Sequence, residues 1–350
     1  MHDGTYLTAF VGTCGLAIAQ GLRRANIPVI VFERDLPLHT RIGTARDWAI
    51  ACHWSGPTLA KLVGEEKWSR IQEVGVDPNI TVDEIRNMSP VQILDGSSGE
   101  KLGEMVTGGE PFFRFLRSRL VSYLAEDIDV QYSKTLESFT THKADGPSAQ
   151  DFVTAHFTDG TEVKGRLLIG ADGAKSRLRS LLFQHDPSLA ALKRLPYSAT
   201  FVNASFTAEQ ALWIRSAQRH PFGVVSLHPK GRINMLSVLD AAESDKPETW
   251  RFNFYVGTQS SIEAQDQEAT TRDRLRESKR IVLDDEIADP IKSVYEWLSD
   301  EVETAYYTKV ANWDPSVPEH KWDNHDGLVT LAGDAAHPMT YREFIKACIT

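Results

Sequence analysis

Cysteine is scarce in this chain: there are three in 350 residues, Cys14, Cys52 and Cys348, and no C-x-x-C pair. That excludes a disulfide framework and a thiolate zinc cluster, and it fits a reducing, cytoplasmic setting. H-E-x-x-H and G-x-S-x-G are both missing, which removes the zinc protease and serine hydrolase readings. The eleven histidines are scattered, and His337, beside Pro338, reads as a turn residue rather than a base. There is no block of Lys and Arg, and the formal net charge is -10. Nucleic acid is therefore not an expected partner, because affinity for phosphate backbones comes from clustered basic residues. Residues 5–22 carry no charge, but no basic segment precedes them, so they read as buried strand, turn and helix rather than as a signal peptide or membrane span. Sequons begin at Asn79, Asn87 and Asn203; without a secretion signal they read as chance matches.

What is present is ordinary for a globular chain, with 41% hydrophobic and 25% charged residues, at a length that suits two lobes. Residues 5–11, 12–15, 16–25 and 28–32 read as strand, tight turn, helix and strand, a βαβ start. Residues 49–63 read as a helix, and 112–124 carry apolar residues at helical spacing. Strands at 131–139, 152–157 and 162–169 are separated by the turn formers Asp145-Gly146-Pro147 and Thr158-Asp159-Gly160-Thr161. From 198 to 256 the pattern alternates every second residue, which predicts an antiparallel sheet with a hairpin at Pro229-Lys230-Gly231. Within it, Thr207 and Gln210 have capping-box spacing for a short helix. Residues 266–301 read as exposed amphipathic helices, and a strand at 328–331 runs into Gly333-Asp334.

Three segments carry chemistry. Gly12 and Gly15 occupy the second and third glycine positions of a G-x-G-x-x-G dinucleotide loop, with Phe10 at the first. Glu33, twenty-one residues after Gly12 and with Arg34 beside it, ends an apolar strand where a carboxylate can accept hydrogen bonds from ribose hydroxyls. Gly170-Ala171-Asp172-Gly173-Ala174-Lys175-Ser176-Arg177-Leu178-Arg179 follows a second apolar strand. Leu331-Ala332-Gly333-Asp334-Ala335-Ala336-His337-Pro338 ends a third. In the last two, a turn lets backbone amides approach a phosphate or polyol while one carboxylate takes its hydroxyls.

In this order and at these separations the segments resemble the class A flavoprotein monooxygenases of the aromatic hydroxylase type. The resemblance implies an α/β chain in which a Rossmann-like FAD-binding lobe (1–75, 112–190 and 301–350) is interleaved with a mainly antiparallel-sheet substrate lobe (76–111 and 191–300). It implies that Asp172 and Gly173 form the family's DG motif near the pyrophosphate and the nicotinamide cofactor. Gly333, Asp334 and Ala335 would then form the GD motif, whose aspartate holds the ribityl chain. Arg117, in Arg117-Ser118-Arg119-Leu120, matches a flavin-contacting arginine, and Arg46 lies near another. The implied cofactors are FAD and NAD(P)H, with O₂ as co-substrate. The implied reaction is hydroxylation or epoxidation of an aromatic or polyketide-like small molecule of secondary metabolism, with no single essential acid or base. Phe201, Phe254 and Tyr255 are aromatic candidates for the pocket floor.

Two departures from the family pattern generate expectations. Phe10 lacks the backbone freedom of the glycine it replaces. After Pro338 the family continues with a P-x-x-G-x-G-x-N loop and a helix, whereas here Phe344 and Lys346 fall near the glycine positions and Cys348 near the asparagine. The expectation is a C-terminally truncated chain whose flavin site is open on one side and whose activity is reduced. A degenerate relative that binds FAD weakly is one alternative reading. A nicotinamide-dependent dehydrogenase is another, although it leaves the DG and GD segments without a role.

Overall fold

A computed structural model describes residues 6–9, 12–37, 47–105, 107–144, 150–218, 220–299 and 305–338. Strands β1 (Tyr6–Ala9), β2 (Val29–Phe32), β7 (Asp129–Gln131), β11 (Leu167–Gly170) and β17 (Val329–Leu331) form a parallel sheet in the order β17-β11-β1-β2-β7. Their apolar runs lack alternation because both faces of the sheet are covered. On one face, Leu16 and Ala19 of helix α1 (Thr13–Arg24) and Leu120, Val121 and Leu124 of α5 (Arg117–Ala125) pack with Val31. Buried Gln20 ties the two helices together by donating to Leu124 O and Glu126 O, each at 2.8 Å. On the other face lies the antiparallel layer β8 (Leu136–His142), β9 (Phe152–Phe157) and β10 (Glu162–Gly165), with Phe157 4.5 Å from Phe32. The turn formers Asp145-Gly146-Pro147 lie outside the described residues.

A second sheet has the order β16-β12-β15-β14-β13-β4-β5. Its strands are β4 (Gln92–Asp95), β5 (Lys101–Glu104), β12 (Lys193–Ala204), β13 (Gly223–His228), β14 (Arg232–Asp240), β15 (Arg251–Gln259) and β16 (Ala305–Asn312). The two-residue alternation divides its faces. Val202, Leu236, Val238, Phe252, Phe254 and Val256 point toward helices α8 (Ala208–Ala217), α10 (Thr271–Asp284) and α11 (Ile291–Trp297) and share a core with Leu275, Val294 and Tyr295. Phe254 lies 5.2 Å from Tyr295. It therefore belongs to the helix side and not to the pocket floor, because consecutive residues of a strand point to opposite faces. The capping box at Thr207 and Gln210 forms as its spacing predicts.

Two helix readings need correction. Residues 49–63 divide into β3 (Ala49–Cys52) and α2 (Gly56–Val63), and residues 112–124 into β6 (Phe113–Leu116) and α5. β3 and β6 pair antiparallel, Ala49 with Leu116 and Cys52 with Phe113. All four residues of β6 are buried, Arg114 among them, and a four-residue run is too short for its period to separate strand from helix. The shorter helices α3 (Glu65–Trp68), α4 (Val82–Arg86), α6 (Arg177–Leu182), α7 (Pro187–Ala190) and α9 (Ile262–Gln265) complete the described α-helices.

Polar contacts join the parts. Arg119 donates to Gly75 O at 2.9 Å and pairs with Asp240 at 2.7 Å. Buried Asp77 pairs with Arg215 of α8 and also accepts from the Asn79 amide at 3.1 Å. Removing the carboxylate leaves a partly buried guanidinium without its counter-charge. Asp77→Ala is expected to lower unfolding free energy by about 2–3 kcal/mol, below the cost for a fully buried pair because Arg215 keeps some water. Urea denaturation checks this, and a loss below about 0.5 kcal/mol, within the range of ordinary surface substitutions, would contradict it.

Candidate functional site

Because the first sheet is parallel, the C-terminal ends of β1, β2, β11 and β17 lie along one edge, where open α/β sheets bind ligands. Helix α1 starts there with Gly12 as its N-cap (φ -101°, ψ 166°), no side-chain cap and no acid in its first turn. Its N-terminal amides and dipole are thus left for an anion. A Cβ on Gly12 would stand 3.3 Å from Ala171 O, so the turn after β1 runs against the turn after β11. Gly333 has φ +58°, and a Cβ there would meet Cys14 Sγ at 2.9 Å, which brings the turn after β17 onto the first turn of α1. Gly173 also needs a positive φ, +79°. Gly15 is buried within α1. Three segments far apart in sequence therefore meet at one helix N-terminus.

Buried Arg179 fixes this junction. Its Nε donates to Ala190 O at 3.0 Å, its Nη1 to Ala335 O at 2.8 Å and its Nη2 to Ala174 O, and its guanidinium lies 5.0 Å from the Trp313 ring centroid. Burial pushes its guanidinium below the ordinary arginine range, with the charge of Asp172 pulling the other way. Arg179 ends the second glycine-bearing segment, where sequence reasoning gives it no role. Its signal in the sequence is only its place on the buried side of α6, which is also where an apolar residue would stand.

The carboxylates differ in what they are engaged with. Asp172 is buried, accepting from Ser176 Oγ and Arg177 N–H at 2.5 Å and from Leu178 N–H at 3.2 Å. It caps α6 and shapes the loop that carries Gly173. Glu33, at the end of β2, is 8% exposed and its Oε1 accepts the Asp35 N–H at 2.8 Å. Asp334 is solvent-accessible in a recess beside Cys14. Burial raises its carboxyl above the ordinary range, with His337 pulling the other way. Arg34 is exposed. Arg46, Phe10 and residues 339–350 lie outside the described residues.

At the start of α5, the Arg117 N–H donates to Trp48 O at 2.9 Å and its guanidinium sits 4.6 Å from the Trp48 ring centroid. Buried Asp47 accepts from Ser118 Oγ at 2.5 Å, and its backbone oxygen accepts from Asn203 Nδ2 at 3.0 Å. Asp47 thereby couples α5 to the second sheet.

The face of the second sheet turned toward β6 and Asp47 carries one register row across six strands: Tyr306, Phe201, Tyr255, Met235, Val225 and Ile93. Phe201 stacks on Tyr306 at 5.0 Å and lies 4.6 Å from Tyr255. A parallel polar row, Asn203, Asn253 and Ser237, runs beside it. Buried Arg114 of β6 reaches this face, donating to Ser237 Oγ at 2.7 Å and Val238 O at 3.2 Å.

The site fits FAD. An uncapped helix N-terminus faces a turn that only glycine fits, acidic side chains end β2 and follow β17, and an aromatic floor lies across from them. Such a parallel sheet with its interleaved antiparallel sheet defines the fold of the FAD-binding hydroxylases. Klebsiella pneumoniae HpxO complexed with FAD and uric acid superposes with a TM-score of 0.65 at 20% identity, covering 98% of this chain and 76% of that one. The 2,6-dihydroxypyridine-3-hydroxylase of Arthrobacter nicotinovorans gives 0.63 at 16% identity, covering 99% and 81%. No family model matches the chain. Curated relatives go further. The chain is 31% identical to the FAD-dependent monooxygenase phnB of Penicillium herquei, over 94% of this chain and 74% of that protein. It is 33% identical to the FAD-dependent monooxygenase dbaB of Emericella nidulans, over 94% and 79%. The chain belongs to the FAD-dependent monooxygenases, and these relatives favour neither the dehydrogenase reading nor the degenerate one.

Two outcomes follow from the junction. Arg179→Met leaves three carbonyls without their donor, at about 1–3 kcal/mol for each buried group left unsatisfied. A loss of about 3 kcal/mol or more in urea denaturation is expected, and a change below about 1 kcal/mol would show that the junction stands without it. Asp334 has a folded-state carboxyl raised above its unfolded value, so its contribution to stability is full at low pH and is lost as pH rises through the folded value. Asp334→Asn should therefore melt higher than the parent, both free of flavin, near about pH 7, with the gap closing near about pH 3, below the ordinary carboxylate pKa. A gap that widens on acidification would contradict this sign.

Proposed function

We propose that this monooxygenase binds FAD with the pyrophosphate at the N-terminus of α1 between Gly12, Gly15 and Gly333. Glu33 takes the adenosine ribose and Asp334 the ribityl chain, while Gly173 and Ala335 allow the close backbone approach. Asp172 acts by holding the loop in shape, since its carboxylate is already engaged by α6. Arg117, stacked on Trp48, borders the ring end of the cofactor, and Arg34 is assigned to its periphery. The observation that carries this reading is the meeting of Gly12, Ala171, Cys14 and Gly333 at one uncapped helix terminus.

FAD, when bound, supplies reduction by NAD(P)H and transfer of one oxygen atom of O₂ to the substrate. The chain's own part is to bind, orient and exclude water. The row from Tyr306 to Ile93 gives a flat apolar floor suited to an aromatic or polyketide-like molecule of secondary metabolism. Planar heterocycles appear in the names of both structural relatives, uric acid bound to one and dihydroxypyridine hydroxylated by the other. Free thiols at Cys14 and Cys52 fit a cytoplasmic setting. Among the described residues, no helix is long and apolar enough to cross a membrane.

The purified chain should take up FAD, read as absorbance near roughly 450 nm. Removing one charge-assisted hydrogen bond costs about 1.5–3 kcal/mol, so Glu33→Ala or Asp334→Ala should raise the FAD dissociation constant roughly tenfold to a hundredfold. Titration followed by flavin fluorescence measures it. Unchanged affinity in both variants would remove these two assignments.

A further inference from the structure

The helix-covered face of the second sheet changes character along its strands. Its row of Val202, Phe254 and Leu236 is apolar and belongs to the core. Two residues along, the row is Tyr307, Thr200, Val256 and Asn234, and two further still Lys309 stands beside Ser198 and Thr258. Hydroxyls and amides take the place of hydrocarbon. Here α10 does not close on the sheet: two adjoining hollows, of about 350 and about 230 Å³, share Thr200, Arg274 and Tyr307 in their walls. They lie behind the floor, because Thr200 and Tyr307 are strand neighbours of Phe201 and Tyr306, and successive residues point to opposite faces.

The polar groups of these walls are under-used. Ser198 is 3% exposed, yet its Oγ comes no nearer to Thr258 Oγ1 than 3.5 Å, beyond the usual O–H···O range. Gln265, in the wall of the smaller hollow, is 1% exposed, and its Oε1 has no hydrogen-bond partner among the described residues. A buried acceptor in that state is unfavourable until a donor reaches it. The larger hollow is lined by three arginines and one glutamate, Glu277. Arg232 is held by Asp285 at 2.8 Å and Arg280 by Asp284 at 3.1 Å. Arg274 differs. Its guanidinium lies 4.1 Å from the Tyr307 ring centroid and donates from Nη2 to Gln267 O at 2.9 Å, while half-exposed Glu277 approaches Nη1 only to 3.5 Å. A guanidinium fixed by a ring and a carbonyl, with one loose counter-ion, is set to take an anion. We infer that this cleft is a second ligand site, apart from the flavin recess and the floor, for a small hydroxylated anion. Arg274 takes the anionic group, a carboxylate or a phosphate, and Ser198, Thr200 and Thr258 take the hydroxyls. Glu277 opposes the anion and limits its affinity.

The test is calorimetric titration of the full chain, with FAD in excess to fill the recess at α1, using glycerol 3-phosphate, glycerate, inorganic phosphate and neutral glycerol. At least one of the two hydroxylated anions should bind, more tightly than inorganic phosphate, and glycerol should not bind in the same range. Arg274→Gln should weaken that binding about tenfold or more, and Arg274→Lys should recover part of it. Glu277→Gln should tighten it, because a like charge leaves the site. A merely structural role for α10 would not produce that sign. Thr258→Val should weaken the hydroxylated anion and leave inorganic phosphate unchanged. Preference for glycerol 3-phosphate identifies a phosphorylated polyol, and preference for glycerate a hydroxy acid. Dependence on Arg274 and Glu277 separates this cleft from the recess at α1, whether or not the chain takes up FAD. If Arg274→Gln fails to fold, Glu277→Gln and Thr258→Val decide. Failure of the parent to bind either hydroxylated anion overturns the inference, as does binding no tighter than that of inorganic phosphate, or an affinity that neither the Arg274 nor the Glu277 variant moves.

Discussion

The guanidinium of Arg179 is the constraint on which the rest of the site depends. It grips carbonyls on both sides of the junction, and Ala335 lies 156 residues away in sequence. A parallel sheet aligns strand ends, but it does not by itself bring the loops beyond those ends into contact. That contact here needs a cation with donors in several directions, buried where water cannot compete for them, which is what the guanidinium fork provides. Once the turn after β11 and the turn after β17 are joined, a side chain at Gly333 would collide with Cys14 and one at Gly12 would crowd Ala171 O. The amides of α1 then face a recess whose shape is set from three sides.

The second sheet contributes through its alternation. One face is buried under α8, α10 and α11, and the same two-residue period sends Phe201, Tyr255 and Met235 the other way, toward β6 and Asp47. Asp47 links the two regions by capping α5 with its carboxylate and accepting Asn203 with its backbone oxygen. The sheet face and α5 are therefore positioned by hydrogen bonds that meet at Asp47, so a change in this seam is felt on both sides.

Much of this was legible in the sequence, and the parts that were not share a physical cause. The βαβ start, the antiparallel sheet and the three glycine-bearing turns stand out because they rest on local rules, namely apolar period, turn chemistry and backbone freedom. β3 and β6 read as helix because a four-residue strand is too short to show a period of its own; only its partner defines it. Phe254 was placed beside Tyr255 although neighbours in a strand cannot share a face. Asp172 looked like a ligand-binding acid and turns out to be engaged by α6, a use that its position relative to Ser176 allows but does not announce. Arg114 carried no signal and Arg179 only its place on the buried side of α6, because a buried arginine is recognised by what surrounds it, and most of those neighbours are distant in sequence.

The most direct measurement is a crystal structure of the chain with FAD bound. The pyrophosphate is predicted to lie at the N-terminus of α1 against Gly12 and Gly333, with the adenosine ribose at Glu33, the ribityl chain at Asp334 and the ring system between Trp48 and the Tyr306–Phe201–Tyr255 row. Density for FAD elsewhere, or with its pyrophosphate away from the turn that Arg179 holds, would contradict the account.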